Sequence, residues 1–204
     1  MRLNFFDRIN PKILKRIYKV LKIIVFAYAV LFCIAFLIFC GIRAHYPIKY
    51  KEYVFAYADE YQLDSHLIFS VIKVESSFNE KAVSSAGAKG LMQITDRTGA
   101  YIAEKLGVTD YDLLDAKTSV AFGCFYLRYL YDKFENLEVV LAAYNAGEGK
   151  VALWLENKEY SADGVTLSRV PYAETEAYIE KIKKTFSKYK KLYENILDKR
   201  QNFE

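Results

Sequence analysis

From Ile23 to Ile42 the chain runs twenty residues without a charged side chain, IIVFAYAVLFCIAFLIFCGI. At about 1.5 Å per helical residue such a run extends roughly 30 Å, the thickness of the hydrocarbon core of a bilayer. This segment is therefore expected to cross a membrane rather than to join a water-soluble core. Ahead of it, residues 1–22 hold seven Lys and Arg against one acid, Asp7. Basic flanks stay on the cytoplasmic side, and the downstream flank of Arg43, Lys49 and Lys51 is weaker and diluted by Glu52. The expected topology is a single pass, with a cytoplasmic N-terminal tail over 1–22 and everything after residue 42 outside. A cleaved signal peptide carries an apolar region of only about 7 to 15 residues and a small-residue cleavage site, so an uncleaved anchor fits better. Bulky Phe39 directly before Cys40 also departs from a lipobox.

The overall charge of +4 then separates into +6 on residues 1–22 and −2 on residues 43–204. The basicity of the chain reports its topology, and nothing in it points to nucleic acid. Cys33 and Cys40 fall inside the span, which leaves Cys124 as the one thiol beyond it, set in the apolar run Val120-Ala121-Phe122-Gly123-Cys124-Phe125 and expected to be a core residue. His45 and His66 are too few to build a metal site or a nucleophilic triad. Gly147-Glu148-Gly149 lacks the preceding strand of a phosphate-binding loop, so neither metal nor cofactor is expected.

With 9 Gly and 3 Pro in the whole chain, turn formers are few, and the apolar residues after residue 42 recur at helical spacing. Helices are expected over Tyr50 to Tyr61, over Ser65 to Ser76 behind an Asp64 cap, from Thr95 or Asp96 to Leu106 before Gly107, and from an Asp115 cap to Phe134. Further helices are expected over Leu137 to Ala146, Lys150 to Glu156 and Pro171 to about Leu197, with irregular stretches over 77–89 and 157–170. The last helix carries Lys181, Lys183, Lys184, Lys188, Lys190 and Lys191 around a stripe of Ile179, Ile182, Phe186, Tyr189, Leu192 and Tyr193, which reads as a basic solvated face over a core face. One all-α domain over 43–197 is expected, with a frayed end at 198–204.

One residue is out of place in this pattern. Glu75 lies four residues after Val71 and seven after Ile68, on the apolar stripe of its helix. A carboxyl group at that position loses solvent, and its pKa rises toward the range of a general acid, unless the helix end turns it into water. Behind it comes a segment of small and polar residues in which Gly87 and Gly90 permit close backbone approach and Ser84 and Gln93 supply short hydrogen-bonding groups. Tyr144 and Asn145 close the otherwise apolar helix that starts at Leu137.

Glu75-Ser76, then Gly90-Leu91-Met92-Gln93, then Ala143-Tyr144-Asn145-Ala146-Gly147, in that order, resemble the transglycosylase SLT domain of lytic transglycosylases. The resemblance covers about residues 50 to 185 and extends to Ser84 and to Val170-Pro171-Tyr172-Ala173-Glu174-Thr175 with Tyr178. It implies an all-α, lysozyme-like helical domain, here preceded by a single transmembrane helix. It also implies cleavage of peptidoglycan between N-acetylmuramic acid and N-acetylglucosamine without water, leaving a 1,6-anhydromuramyl end. By the same resemblance Glu75 is the catalytic acid and base. Ser84 is placed near the 2-acetamido group, Gln93, Tyr144 and Asn145 contact saccharide, and Glu174 and Tyr178 line the site.

Two alternatives share this sequence. A muramidase would hydrolyse the same bond, which requires a second carboxylate about 5 to 9.5 Å from the first. Glu80, beside Lys81, reads as a surface residue, whereas Asp96 and Glu174 remain open for that role. A catalytically silent wall-binding scaffold would have no chemical need for Glu75. The chain departs from the family pattern at Ile94-Thr95-Asp96, where Met-Pro is common, and at Glu148, where Pro is usual and where an acid suits the first turn of a helix.

Overall fold

The computed structural model describes residues 11–197; the first ten residues of the basic segment and the expected frayed end at 198–204 lie outside the described residues. Two compact units divide between Pro47 and Ile48. The first contains α1 (Pro11–His45), in which none of the residues is buried. This helix is long and apolar enough to cross a membrane by length and composition. It begins well before the uncharged run, because Pro11 suits a first helical position and the Lys, Arg and Leu residues of 12–22 are good helix formers.

The second unit is helical, and its caps follow from the sequence. Tyr50, in the left-handed region at φ 57°, precedes α2 (Lys51–Glu60). Asp64 accepts the His66 N–H to open α3 (Ser65–Glu75). Thr95 accepts from the Thr98 N–H to open α4 (Asp96–Leu106), which Gly107 ends at φ 66°. Asp115 opens α5 (Ala116–Phe134) through the Thr118 N–H, and Asn136 opens α6 (Leu137–Ala146) through two N–H groups. Then follow α7 (Glu148–Glu156) and α8 (Ala173–Leu197). α7 starts two residues earlier than expected because Glu148 occupies its first turn, and α8 starts two residues later than Pro171.

α3 is the centre of this unit. Residues 65–72 are buried on every side of it, and α8 packs along it. Phe69 of α3 stacks on Tyr189 of α8 with ring centroids 5.7 Å apart and meets Phe55 of α2 edge-on at 6.1 Å. Ile179, Ile182, Tyr189 and Tyr193 form the buried stripe of α8, while Lys181, Lys184, Lys188 and Lys191 are exposed. Lys183 and Lys190 reach across to Glu138 and Asp64. Cys124 is fully buried in α5, as its apolar surroundings led one to expect.

The segment after α3 contains no strand, but it is not loose. Lys89 bridges both Val83 and Ile94, and the Lys89 and Ile94 backbones exchange hydrogen bonds of 2.9 and 3.0 Å. Leu91 and Met92 are fully buried against α5, where the Met92 N–H donates to Ser119 Oγ at 3.1 Å and the Met92 side chain fills the space left by the missing Cβ of Gly123. Gly90 sits at φ 77°, and a Cβ there would run into the Leu113 carbonyl oxygen and Ser119 Oγ. Backbone is the obstacle, so it cannot be relieved by a rotamer change. Gly90→Ala is expected to lower stability by about 2 kcal/mol or more, read as an earlier denaturant midpoint of the full chain in detergent; an unchanged midpoint would contradict this packing.

Candidate active site

The C-terminal end of α3 carries Glu75 out of the fully buried part of the helix to a half-buried position. α8 runs beside it, and the buried Tyr178 donates its hydroxyl to Glu75 Oε1 at 2.7 Å. These residues are 103 positions apart in the chain and are brought together by the α3–α8 packing. Burial raises the Glu75 pKa from its ordinary value of 4.5 to about 7; the Tyr178 hydrogen bond and the charge of Lys181 act the other way and are outweighed. Near neutral pH this carboxyl group is poised between its two forms.

Tyr144 is the third member of the group. Burial raises the pKa of both Tyr144 and Tyr178 well above the ordinary value, with the charge of Glu75 adding to it in each case. Both phenols therefore stay protonated and act as donors. Tyr144 spends its hydroxyl on the Met92 carbonyl oxygen at 2.8 Å, so α6 pins the loop that follows Glu75. Gln93, next along, is held at φ 53°, a conformation that costs a non-glycine residue about 1 to 2 kcal/mol. Its side-chain amide donates to the carbonyl oxygens of Gly90 at 2.9 Å and Ala82 at 3.2 Å and so secures the turn. Asn145, exposed at the end of α6, accepts from Thr175 Oγ1 of α8 at 2.8 Å. Gln93, Thr95, Tyr144 and Asn145 line a cleft of about 240 Å³.

The residues singled out from sequence thus fall into two sets. Glu75 and Tyr178 are in direct contact; Gln93, Tyr144 and Asn145 share one cleft wall, with Tyr144 close enough to feel the Glu75 charge. Ser84 stands apart, exposed, its Oγ accepting the Ala88 N–H within its own turn. Glu174 is exposed in the first turn of α8, one turn ahead of Tyr178. Glu80 is half-buried rather than fully solvated and accepts a hydrogen bond from Tyr50 at 3.2 Å. Asp96 is engaged by Lys89 Nζ at 2.8 and 3.0 Å. Glu148 accepts from Lys133 Nζ at 2.6 Å and from the Tyr129 hydroxyl at 2.9 Å, contacts beyond the helix-end role expected for it.

Sequence reasoning gave Thr175 and Lys181 no role at the site. Both lie three residues from Tyr178 on α8, on the face that carries it, so helical spacing from Tyr178 was the available signal.

The transglycosylase SLT domain model matches residues 52–165. The soluble lytic murein transglycosylase of Escherichia coli (strain K12) is 31% identical over 147 residues, which cover 69% of this chain and 23% of that protein. A membrane-bound lytic murein transglycosylase C of Edwardsiella ictaluri is 27% identical, covering 74% of this chain and 48% of its own. Among solved structures, an inactive glutamate-to-glutamine mutant of the lytic transglycosylase Slt of Pseudomonas aeruginosa superposes with a TM-score of 0.62 at 26% identity, over 72% of this chain and 25% of that one. The chain spans about a quarter of the length of the soluble relatives it matches.

Folding raises the Glu75 pKa, so the folded chain holds this proton more tightly than the unfolded one. The contribution is therefore most favourable below the unfolded value near 4.5 and is lost as pH rises through about 7, a change of roughly 3 kcal/mol. Gln at position 75 does not titrate. Glu75→Gln is expected to match the parent near pH 4.5 and to exceed it by roughly 3 kcal/mol near pH 8 in denaturant unfolding; stability curves that stay parallel across this range would show that the carboxyl is not buried as described.

Proposed function

Because the chain belongs to the transglycosylase SLT domain family, we propose that it is a membrane-anchored peptidoglycan lytic transglycosylase, cleaving the MurNAc-β-1,4-GlcNAc bond without water to leave 1,6-anhydromuramyl ends. The observation that carries this reading is the half-buried Glu75, with a pKa of about 7 and a tyrosine hydroxyl on its oxygen. Such a group can work in both directions. Protonated Glu75 gives its proton to the glycosidic oxygen as the bond to the muramyl anomeric carbon breaks, and the sugar's own 2-acetamido group stabilises the cation that forms. The Glu75 carboxylate then removes the proton of the muramyl 6-hydroxyl as that oxygen attacks the anomeric carbon, which returns Glu75 to its starting form. Burial favours the acid of the first step, and the hydroxyl of Tyr178 favours the carboxylate of the second.

Hydrolysis would require a base for water. Asp96 and Glu80 already hold Lys89 and Tyr50, so that role would fall to the exposed Glu174. In the proposed arrangement Gln93 and Asn145 hold saccharide along the cleft, with Tyr144 fixing the loop beneath it, and Ser84 approaches the acetamido group from its turn. The Pseudomonas aeruginosa relative made inactive by a glutamate-to-glutamine change supports an essential role for a glutamate here as well.

The apolar α1 and the membrane-bound relative both favour membrane association. The excess of basic residues before the span favours a cytoplasmic N-terminus, with the catalytic unit outside, on the side of the glycan strands.

Purified sacculi digested with the full chain in detergent are expected to release muropeptides one water lighter than reducing-end products by mass spectrometry. Glu75→Gln is expected to reduce the rate by about 100-fold or more. Dominant reducing ends would convert the assignment to a muramidase, and a fully active Glu75→Gln protein would remove Glu75 from the mechanism.

A further inference from the structure

The cleft under Gln93 and Asn145 continues past Gly147 into an outer groove of about 440 Å³, the two sharing Thr98, Tyr126, Ala146 and Gly147. Arg97, Tyr101, Glu148, Gly149 and Lys150 complete the outer part. Its acid is already committed, since Glu148 is neutralised by Lys133 at 2.6 Å and also accepts from Tyr129. Asp96, next to Arg97 in the chain, is likewise held by Lys89 at 2.8 Å. Arg97 and Lys150 are thus cations without a carboxylate partner among the described residues. Lys150 is also placed: its ammonium sits 5.3 Å from the centre of the Tyr172 ring, which packs edge-on against Trp154 at 5.1 Å.

A neutral sugar offers hydroxyl and acetamide groups and gains little from two positive charges. The acidic groups of peptidoglycan are on the peptide that hangs from the muramyl lactyl group, which carries free carboxylates. An arginine fork and a lysine ammonium at one end of a glycan cleft match that chemistry. Resting on the peptidoglycan reading, we propose that the outer groove is a subsite for the carboxylates of the peptide stem, with Arg97 and Lys150 as its specificity-determining side chains. Strands already stripped of their stems would then be bound less tightly, and the groove would favour glycan that still carries peptide.

The experiment measures equilibrium binding of muropeptide oligomers with and without peptide stems to the full chain in detergent, in a Glu75→Gln background so that no cleavage occurs. Arg97→Ala with Lys150→Ala should weaken binding of stem-bearing oligomers about tenfold and change that of stem-free oligomers by less than about twofold. Both residues are exposed at the groove surface, and an unchanged unfolding midpoint will show that the double variant is folded. Arg97→Glu with Lys150→Glu should weaken stem-bearing oligomers further. Equal losses on both oligomers would assign the cations to the sugar and overturn the subsite, as would no loss on either. A Glu75→Gln chain that binds neither oligomer would overturn the peptidoglycan reading itself, whereas binding of both without discrimination would overturn the subsite alone.

Discussion

A half-buried carboxyl group at the end of α3, touched by a tyrosine hydroxyl, is the constraint around which the second unit is arranged. Taking a carboxylate out of water is unfavourable, and the chain has not cancelled that penalty with a buried cation. It offers one neutral donor, Tyr178, and a more remote charge at Lys181. This partial compensation leaves the pKa near 7 instead of driving it back toward 4.5. A stronger partner would stabilise the fold and remove the proton that the proposed first step needs.

The surroundings of Glu75 are stiff for the same reason. A cleft wall built from a loop positions groups well only when its backbone is over-determined. Here Leu91 and Met92 are buried anchors, Gly90 and Gly123 make room for close approach, and Ser119 and Tyr144 each bind the Met92 backbone. Gln93 can then be held in a left-handed conformation, because both neighbouring turns are fixed by its own side chain. Three elements that are distant in sequence, the ends of α3 and α6 and the start of α8, meet through Glu75, Asn145, Thr175 and Tyr178.

Much of this was legible in the chain because the cues are local. Asp64, Thr95 and Asp115 cap the helices they precede, and the displacement of Glu75 onto the Ile68–Val71 stripe marks a carboxyl out of water. The long-range pairings were not legible. Nothing local in Tyr178 says that its hydroxyl meets Glu75, or in Tyr144 that its hydroxyl is used on a backbone carbonyl instead of facing outward. Glu148 reads as a helix-end acid, and only the fold brings Lys133 and Tyr129 to it. Ser84 is the converse case: its motif context suggests a place in the cleft, while its hydroxyl closes a local turn.

The central claim is that burial holds Glu75 ready both to give and to take a proton near neutral pH. It is tested most directly by NMR titration of the side-chain carboxyl carbon of Glu75 in the full chain in detergent, assigned by comparison with Glu75→Gln. The expected result is a midpoint close to pH 7, whereas a midpoint near the ordinary 4.5 would contradict it.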